Sequence, residues 1–588
     1  MRPLDSGTYP ALRMAPKGAR ATTRPALPPR QRYQRRLAAL KNERQSYLEH
    51  WRDIATYVRP RAARFLNTDQ RGAKKHGSII NGTAGWGVRV LASGMMAGIT
   101  SPARSWFRLT TPDPDLAEFG AVKEWLHTVE QRIRQAFARS NLYNHLHQTY
   151  ENLATFGTSA TLIEEDSEDI LRAYTFPIGQ YCLANSARLR VDTCYRELSM
   201  TVGQLVERFA LERVSHTVQD QHERGEVDAW VEVLHVIEPN VNYVSGRLGP
   251  QGMKWRSCWL EAAGPDTEPQ FLREGGFEEF PILAPRWGVT GEDIYGWSPA
   301  MDALGDVKAL QLLERRKAQA ADKVVNPPMV GPGSLASQKV SMLPGEVTYL
   351  DSVHPGQQLR PAYEVNVAAV QVLSAAIAEH AERIKTDFYA DLWLMLAQGG
   401  GDAQMTAREV AERHEEKMLQ LGPVMERLQD ELLDPLVDRT FNILLRNGDL
   451  PPPPEELQGS DLRVEYLSIM AQAQKMLGIS SVERLASFAG SLAAVRPEVL
   501  DKVDFDQLMD EYSNMLGTPP ALVRTDEDVE TIRAARADQA QAMQASQMQA
   551  EAIKGAQTLS QTDMNADSAL KRLLGNLGAG GAAPGAQA

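Results

Sequence analysis

Apolar positions between Ser298 and Tyr389 follow two helical registers separated by an insert rich in proline and glycine. Ser298 is placed to cap the first free amides, and Pro299 sits where its missing N–H costs nothing. From Met301 to Leu313 the apolar residues Leu304, Val307, Leu310, Leu312 and Leu313 spread around most of the helix circumference, which predicts burial on many sides. Beyond Glu314 the segment turns basic, with Arg315, Arg316, Lys317 and Lys323, and it stops before Asn326-Pro327-Pro328. At about 1.5 Å per residue this helix is roughly 40 Å long. The return helix, Asn366 to Tyr389, repeats Val370, Leu373, Ile377, Ala381, Ile384 and Phe388 at three- and four-residue spacing, a regular apolar face. Much of its remainder is alanine, which lets helices approach closely. Met329-Val330 and Val347 to Leu350 read as short strands in the insert.

A bare Gln398-Gly399-Gly400-Gly401-Asp402 loop follows. Three consecutive glycines carry a large ordering entropy and bury nothing, so their flexibility points to a role beyond joining helices. Thr406 and Glu409 form a T-x-x-E capping box, worth about 1 kcal/mol, that opens the next helix. That helix carries Val410, His414, Met418 and Leu421 on one side, and Gly422-Pro423 is expected to kink it. The order helix, insert, helix, glycine loop, helix suits a subunit that lines a hole with its neighbours better than it suits a monomeric enzyme.

Upstream, Met1 to Pro29 is rich in Pro, Ala and Arg and reads as disordered; its Arg13, Lys17, Arg20 and Arg24, with Arg30, read first as a solvated tail, with contact to DNA, a neighbouring subunit or a scaffold as the alternative. Leu48, Trp51, Ile54, Ala55 and Val58 predict an amphipathic helix ended by Pro60, and further helices are expected near 84–97, 122–141 and 142–153. From Ala160 to Trp287 the pattern changes to short alternating runs: Thr161 to Glu164, Tyr181 to Ala184, Trp230 to Val236, Trp255 to Trp259 and Pro281 to Ala284. These predict strands of an α+β region. Pro451 to Pro454 breaks the following helix, a strand at 462–467 is expected to rejoin that sheet, and helices are expected near 470–477 and 482–494. Residues 526–557, rich in Ala, Gln, Glu and Met and free of Pro, predict one long helix, and the Gly/Ala tail after Leu574 reads as disordered. The fold class is α+β, mainly helical.

Composition narrows the function. Cys182, Cys194 and Cys258 are scattered and include no C-x-x-C pair, so neither a disulfide framework nor a zinc site is indicated. The most apolar run, Val90 to Thr100, is too short to span a bilayer, and no membrane or cofactor is expected. No phosphate-cradling G-x-x-x-x-G-K-[ST] loop occurs: Gly331 to Lys339 lacks the second glycine before lysine. Gly82, Gly85 and Gly87 are in the wrong order for a dinucleotide fingerprint, and His414-Glu415-Glu416 falls short of H-E-x-x-H. Glu164, Glu165, Asp166, Glu168 and Asp169 are the one acidic group with metal-binding density, yet they fall at a hairpin turn without a paired histidine and read as a solvated loop. Catalytic, cofactor and metal residues are therefore none. The formal net charge of −12 argues against a tight DNA binder, which needs Lys and Arg to neutralise phosphates.

Several stretches resemble the portal, or head-to-tail connector, proteins of T7-like short-tailed bacteriophages, from about Gln31 to about Leu522. They are Trp51 to Pro60, Leu91 to Pro102 with Trp106-Phe107-Arg108-Leu109, Phe156-Gly157-Thr158-Ser159-Ala160, Tyr295-Gly296-Trp297-Ser298-Pro299, Asn326-Pro327-Pro328 and Met405 to Val410. Each is weak alone; their order is specific. The resemblance implies a ring, in relatives usually a dodecamer, at one capsid vertex, with wing, stem, clip and crown regions around a channel for double-stranded DNA. It divides the chain into a disordered basic arm (1–30), a wing (31–297), a first stem helix (298–325), a clip (326–365), a second stem helix (366–390), a tunnel loop (391–405), a kinked wing helix with a strand (406–466), a helical crown or barrel (467–574) and a disordered tail (575–588).

By the same resemblance Gln398, Gly399, Gly400, Gly401 and Asp402 form the tunnel loop beside DNA. Leu304, Val307, Arg315, Arg316, Lys317, Lys323, Val370, Leu373, Ile377 and Ile384 belong to the stem. Pro328, Val330, Val347, Tyr349 and Tyr363 belong to a clip that docks terminase and then tail adaptor or head completion proteins. Scaffold and major capsid protein are further implied partners, in a virion assembled in the host cytoplasm. An acidic wall with a few basic rings lets DNA slide, whereas a uniformly basic wall holds it. The competing readings are a packaging enzyme, ATPase or metal nuclease, and a coat or scaffold component; the missing phosphate loop opposes the ATPase.

Overall fold

Helix α1 (Pro29–Tyr57) opens with proline at its first position, where a fixed φ and an absent N–H both suit a helix start. The computed structural model describes residues 28–62, 77–113, 116, 119–263, 271–331, 333, 360–362, 366–398, 421–457, 462–466, 482–492, 496, 502–516, 523–524 and 526–560. In it α1 buries Tyr33, Leu37, Leu40, Leu48, Trp51 and Ile54 at helical spacing. Arg30, expected in a disordered arm, instead lies in the first turn and is only 4% exposed. The apolar stripe runs upstream of Leu48 through Tyr33, and packing draws Arg30 in with it. Helices α2 (Thr83–Gly98), α3 (Gly120–Arg139) and α4 (Leu142–Phe156) follow, with β1 (Phe107–Thr110) between α2 and α3.

The chain divides into two units, residues 1–117 with 125–478, and residues 118–124 with 479–588. The first holds the sheets. β2 (Thr161–Asp166) and β3 (Ile170–Thr175) form a hairpin, which β9 (Ile282–Leu283) extends to three strands in the order β3-β2-β9. A separate antiparallel sheet of five strands runs β4 (Tyr181–Asn185), β5 (Val191–Thr201), β6 (Trp230–Pro239), β7 (Trp255–Glu261), β8 (Arg273–Phe277). The expected α+β region is thus two sheets, and its longest strand, β5, went unread. Val191 to Thr201 mixes Asp, Arg and Glu with its apolar residues, so its composition hides the alternation.

Both faces of the larger sheet are covered, which is why alternation alone misleads. Cys182, Tyr195, Leu234, Val236, Cys258 and Leu260 pack on Tyr33, Leu37 and Leu40 of α1. On the other face Val233 and Trp259 pack with Val202, Leu205 and Phe209 of α5 (Val202–Phe209), and with Val214, Val218 and Leu272. Each such fully buried side chain contributes about 1.5–3 kcal/mol. Helix α5 starts at a capping box: the Gln204 N–H donates to Thr201 Oγ1 at 3.3 Å, and the Thr201 N–H donates to Gln204 Oε1 at 3.1 Å. A further short helix, α6 (His216–Glu223), precedes β6.

The helical hairpin comes next. The Met301 N–H donates to the cap Ser298 Oγ at 3.2 Å, while that hydroxyl donates to Thr155 O at 2.9 Å. The expected single helix is broken at Ala303 into α7 (Pro299–Asp302) and α8 (Leu304–Val325). β10 (Met329–Val330) and β11 (Arg360–Pro361) pair antiparallel at the far end, and α9 (Val367–Asp387) returns to α10 (Ala390–Gln398). Residues 403–420, with the expected capping box, lie outside the described residues. Helix α11 (Gly422–Leu428) carries Pro423 in its first turn, and the irregularity comes later, in a π-turn at Gln429–Leu433 before α12 (Asp434–Asn447). That turn aims Glu431 at Arg286, which is 3% exposed and donates from its backbone N–H at 2.9 Å and from Nε at 3.1 Å.

The strand expected at 462–467 exists as β12 (Arg463–Tyr466), but it does not rejoin the larger sheet. It pairs with β1 in a sheet of two strands, Phe107 opposite Tyr466. Aromatic contact decides this: Trp106 stacks on Tyr466 at 6.4 Å and on Phe137 at 5.9 Å, and the Tyr466 hydroxyl donates to Asp434. The helix expected near 470–477 lies outside the described residues. In the second unit α13 (482–492), α14 (Phe505–Leu516) and α15 (Asp526–Ser560) are helical, the last over 35 residues. Arg533 grips Asp506 in a two-pronged pair at 2.7 and 2.8 Å; both side chains are exposed, so it contributes little.

Candidate functional site

Helices α8 and α9 pack antiparallel against each other. Val307, Leu310 and Gln311 of α8 are buried, as are Ile377 and Ile384 of α9 and Phe388 just beyond it. Leu304, Val370 and Leu373 are half-buried. The expectation of burial on many sides is not met by the single chain: Leu312 is 48%, Val325 75% and Val372 69% exposed. The apolar residues of α8 circle the helix, yet α9 and α1 cover only part of it. Arg315, Arg316 and Lys323 are exposed and Lys317 is half-buried.

Charges bind the upper part of this hairpin. Asp306 Oδ1 meets the His380 Nδ1 at 2.7 Å and an Arg383 nitrogen at 3.7 Å. Asp387 lies close by; burial first, then Asp306 and Asp302, push its carboxyl above the usual range. Lys308 reaches Asp53 of α1 at 2.7 Å and lies 5.5 Å over the Tyr57 ring.

Helix α2 seats the whole assembly. A Cβ added to Gly87 would stand 2.7 Å from the Phe388 ring, and one added to Gly94 would stand 2.3 Å from the Trp393 indole. The two glycines share one helix face, so the end of α9 and the start of α10 both rest on bare backbone. Between them Tyr389 adopts a left-handed φ of 53°, its ring 6.1 Å from Trp287. At the other end of α2, Gln311 Oε1 accepts from the Ile80 and Asn81 N–H groups at 2.7 and 2.9 Å, while Gln311 Nε2 donates to Asn81 O at 2.8 Å. Asn81 Nδ2 also donates to Glu314 at 2.8 Å. Sequence reading gave Gln311 and Asn81 no role, weighed Gly87 only against a dinucleotide fingerprint, and named Gly94 and Tyr389 only as parts of longer stretches. The recurrence of glycine seven residues apart within an apolar helix was the available signal.

Of the remaining expected site residues, Gln398 is the last residue of α10, not part of a bare loop, because the apolar run from Leu392 continues the helix to it. Gly399, Gly400, Gly401 and Asp402 lie outside the described residues, as do Val347, Tyr349 and Tyr363. Pro328 is exposed and Val330, in β10, is 49% exposed. The acidic hairpin spends its charges locally: Asp166 Oδ1 accepts from the Glu168 and Asp169 N–H groups at 2.9 and 3.0 Å, which hold its carboxyl below the usual range. Glu164 and Glu165 lie 3.7 and 3.8 Å from Arg208 and Arg446. Among the described residues no group of three or more His, Cys, Asp or Glu is placed to hold a metal, and no helix is long and apolar enough to cross a membrane.

Comparison with known proteins gives this geometry a setting. The family model described as bacteriophage head to tail connecting protein matches residues 30–523. A portal protein of Salmonella phage epsilon15 is 48% identical over 552 residues, covering 94% of this chain and 99% of that one. A "Probable portal protein" of Bordetella phage BPP-1 is 45% identical over 536 residues, covering 91% and 96%. Among solved structures, the neck of an empty gene transfer agent particle computed with C6 symmetry shows 11% identity and a TM-score of 0.34 over 68% of this chain and 86% of that one, too remote to carry weight.

Proposed function

The chain belongs to the family of bacteriophage head to tail connecting proteins and acts as a portal protein, and from that premise we propose how it does so. Copies close into a ring, a dodecamer, at one capsid vertex, and α8 and α9 of each line a channel through which double-stranded DNA enters during packaging and leaves during ejection. The observation that carries this is the uncovered side of the hairpin. Helices of 22 and 21 residues bury one flank in their own chain and leave Leu312, Val325 and Val372 exposed. A flank of that kind is the part of a heterologous, ring-closing contact that neighbours cover.

The remaining roles follow from position. The tunnel segment, Gln398 at the end of α10 followed by residues 399–402, approaches the DNA. Residues 326–365, between α8 and α9 in the sequence, dock the terminase that does the ATP-driven work and later the tail adaptor proteins, while scaffold and major capsid protein meet the body. Helix α15 stands in the crown. The protein is structural and turns over nothing. The net charge of −12, relieved by Arg315 and Arg316, keeps the wall from gripping phosphates. Electron microscopy of the purified chain tests the reading: closed rings with an axial hole support it, monomers or closed shells overturn it, and ATP turnover by the purified chain overturns the non-enzymatic role.

A further inference from the structure

Strand register sets Tyr181, Arg196, His235, Trp259 and Arg273 side by side across all five strands of the larger sheet. Directly opposed residues project to the same face. Helix α5 crosses this row, and the Arg208 guanidinium lies 4.5 Å over the Trp259 ring. His235 stacks on Trp259 at 3.8 Å, with Nε2 3.0 Å from Ser257 Oγ. Burial, followed by the charges of Arg196, Arg208 and Arg273, holds the imidazole well below its ordinary pKa. Three cations therefore bear on one neutral ring.

The anions do not match them. Glu164 stands 3.7 Å from Arg208. Among the described residues Arg196 and Arg273 form no ion pair. Arg196 rests 4.0 Å over the Phe176 ring, and its Nε is buried without a hydrogen-bond partner. Burial draws its pKa down to about 10. A desolvated guanidinium is costly unless paired, and its planar fork of N–H donors fits a carboxylate or a phosphate edge-on. Arg208 and Arg273 are exposed, so the row opens to solvent at the Arg273 end, while Arg196 lies further in, next to the buried Tyr181.

We propose that Arg196, Arg208 and Arg273, ranged along one face of the sheet beside the His235 and Trp259 rings, form a binding site for an oxyanion, a phosphate or carboxylate group. The two sources are a free phosphate and an acidic side chain of a second copy. The site is independent of the channel reading.

The full-length protein tests it in two measurements, with Arg273→Ala as the variant because that side chain is exposed and supports no core packing. Thermal unfolding is followed while inorganic phosphate replaces chloride at constant ionic strength, and the assembly state is followed by sedimentation across a salt series. A saturable rise in Tm with phosphate, with the half-point shifted about ten-fold upward in Arg273→Ala, supports a free oxyanion. No phosphate response in the wild type, combined with assemblies of Arg273→Ala that dissociate at lower salt, supports a carboxylate from a second copy. Equal melting in phosphate and chloride together with unchanged assembly in Arg273→Ala overturns the site.

Discussion

The Trp393 side chain packs against the backbone of α2 at Gly94, where an added Cβ would come 2.3 Å from ring carbon Cδ2. Gly94→Ala forces that ring, 4% exposed, off its seat. Overpacking of this sort costs about 1–3 kcal/mol, more than the gain of up to ~1 kcal/mol from replacing glycine inside a helix. Gly305, in α8, meets nothing within 4 Å of an added Cβ, so Gly305→Ala should stabilise by about 0.5–1 kcal/mol. Chemical denaturation of both variants checks the pair. Shifts of the same sign would contradict the seating.

Gln311 grips residues 80 and 81 through three hydrogen bonds. Gln311→Leu strands two N–H donors and one carbonyl and should cost about 2–3 kcal/mol. Gln311→Glu keeps the acceptor, but it buries a charge and turns an oxygen toward the Asn81 carbonyl, so a loss of similar size, about 2–3 kcal/mol, is expected. Amide exchange at Ile80 and Asn81 separates the two: fast in the leucine variant, slower in the glutamate variant, which retains their acceptor.

At the tip of the β2–β3 hairpin Ile170 holds a φ of 71°, a conformation that a β-branched residue adopts at a cost of about 1–2 kcal/mol. Ile170→Gly removes that strain and should raise stability by about 1 kcal/mol after the extra chain entropy of glycine is subtracted. A melt of the variant checks the sign, and a loss of stability would show that the Ile170 side chain outweighs its backbone.

His235 stays neutral in the folded chain because burial and three arginines oppose its protonation. The unfolded chain takes up that proton below pH about 6.5. Between that value and the depressed folded value the unfolded state binds more protons, so stability is full above pH about 6.5 and falls as pH drops, by up to ~1.4 kcal/mol per pH unit. His235→Gln should flatten the decline between pH about 6.5 and 5, above the range where carboxylates titrate. Stability measured across that window in both chains decides it. Parallel profiles would assign the decline to other groups.

Much of the architecture was legible because periodicity and capping act locally. Ser298 and Pro299 marked a helix start, Val370 to Phe388 marked the buried flank of α9, and the proline-free stretch at 526–557 marked α15, which runs on to Ser560. What escaped depends on distant partners. Residues 462–467 were legible as a strand, but their choice of Phe107 over the larger sheet rests on Trp106, far off in sequence. The glutamine clamp and the glycine seats were hidden for the same reason: Gln311 looks like an ordinary polar helix position until Asn81 is placed beside it. Leu312 failed in the opposite sense, since an apolar residue announces burial without saying which molecule supplies it.

The pairing of β1 with β12 sets a clock on biosynthesis. Phe107 finds Tyr466 only after the intervening residues have been translated, roughly 20–70 s at ordinary elongation rates. Through that interval Trp106 and Phe107 emerge from the ribosome without their strand partner, which makes the newborn chain a natural client for holding chaperones. It also delays the finished two-stranded sheet until roughly four-fifths of the chain has been made.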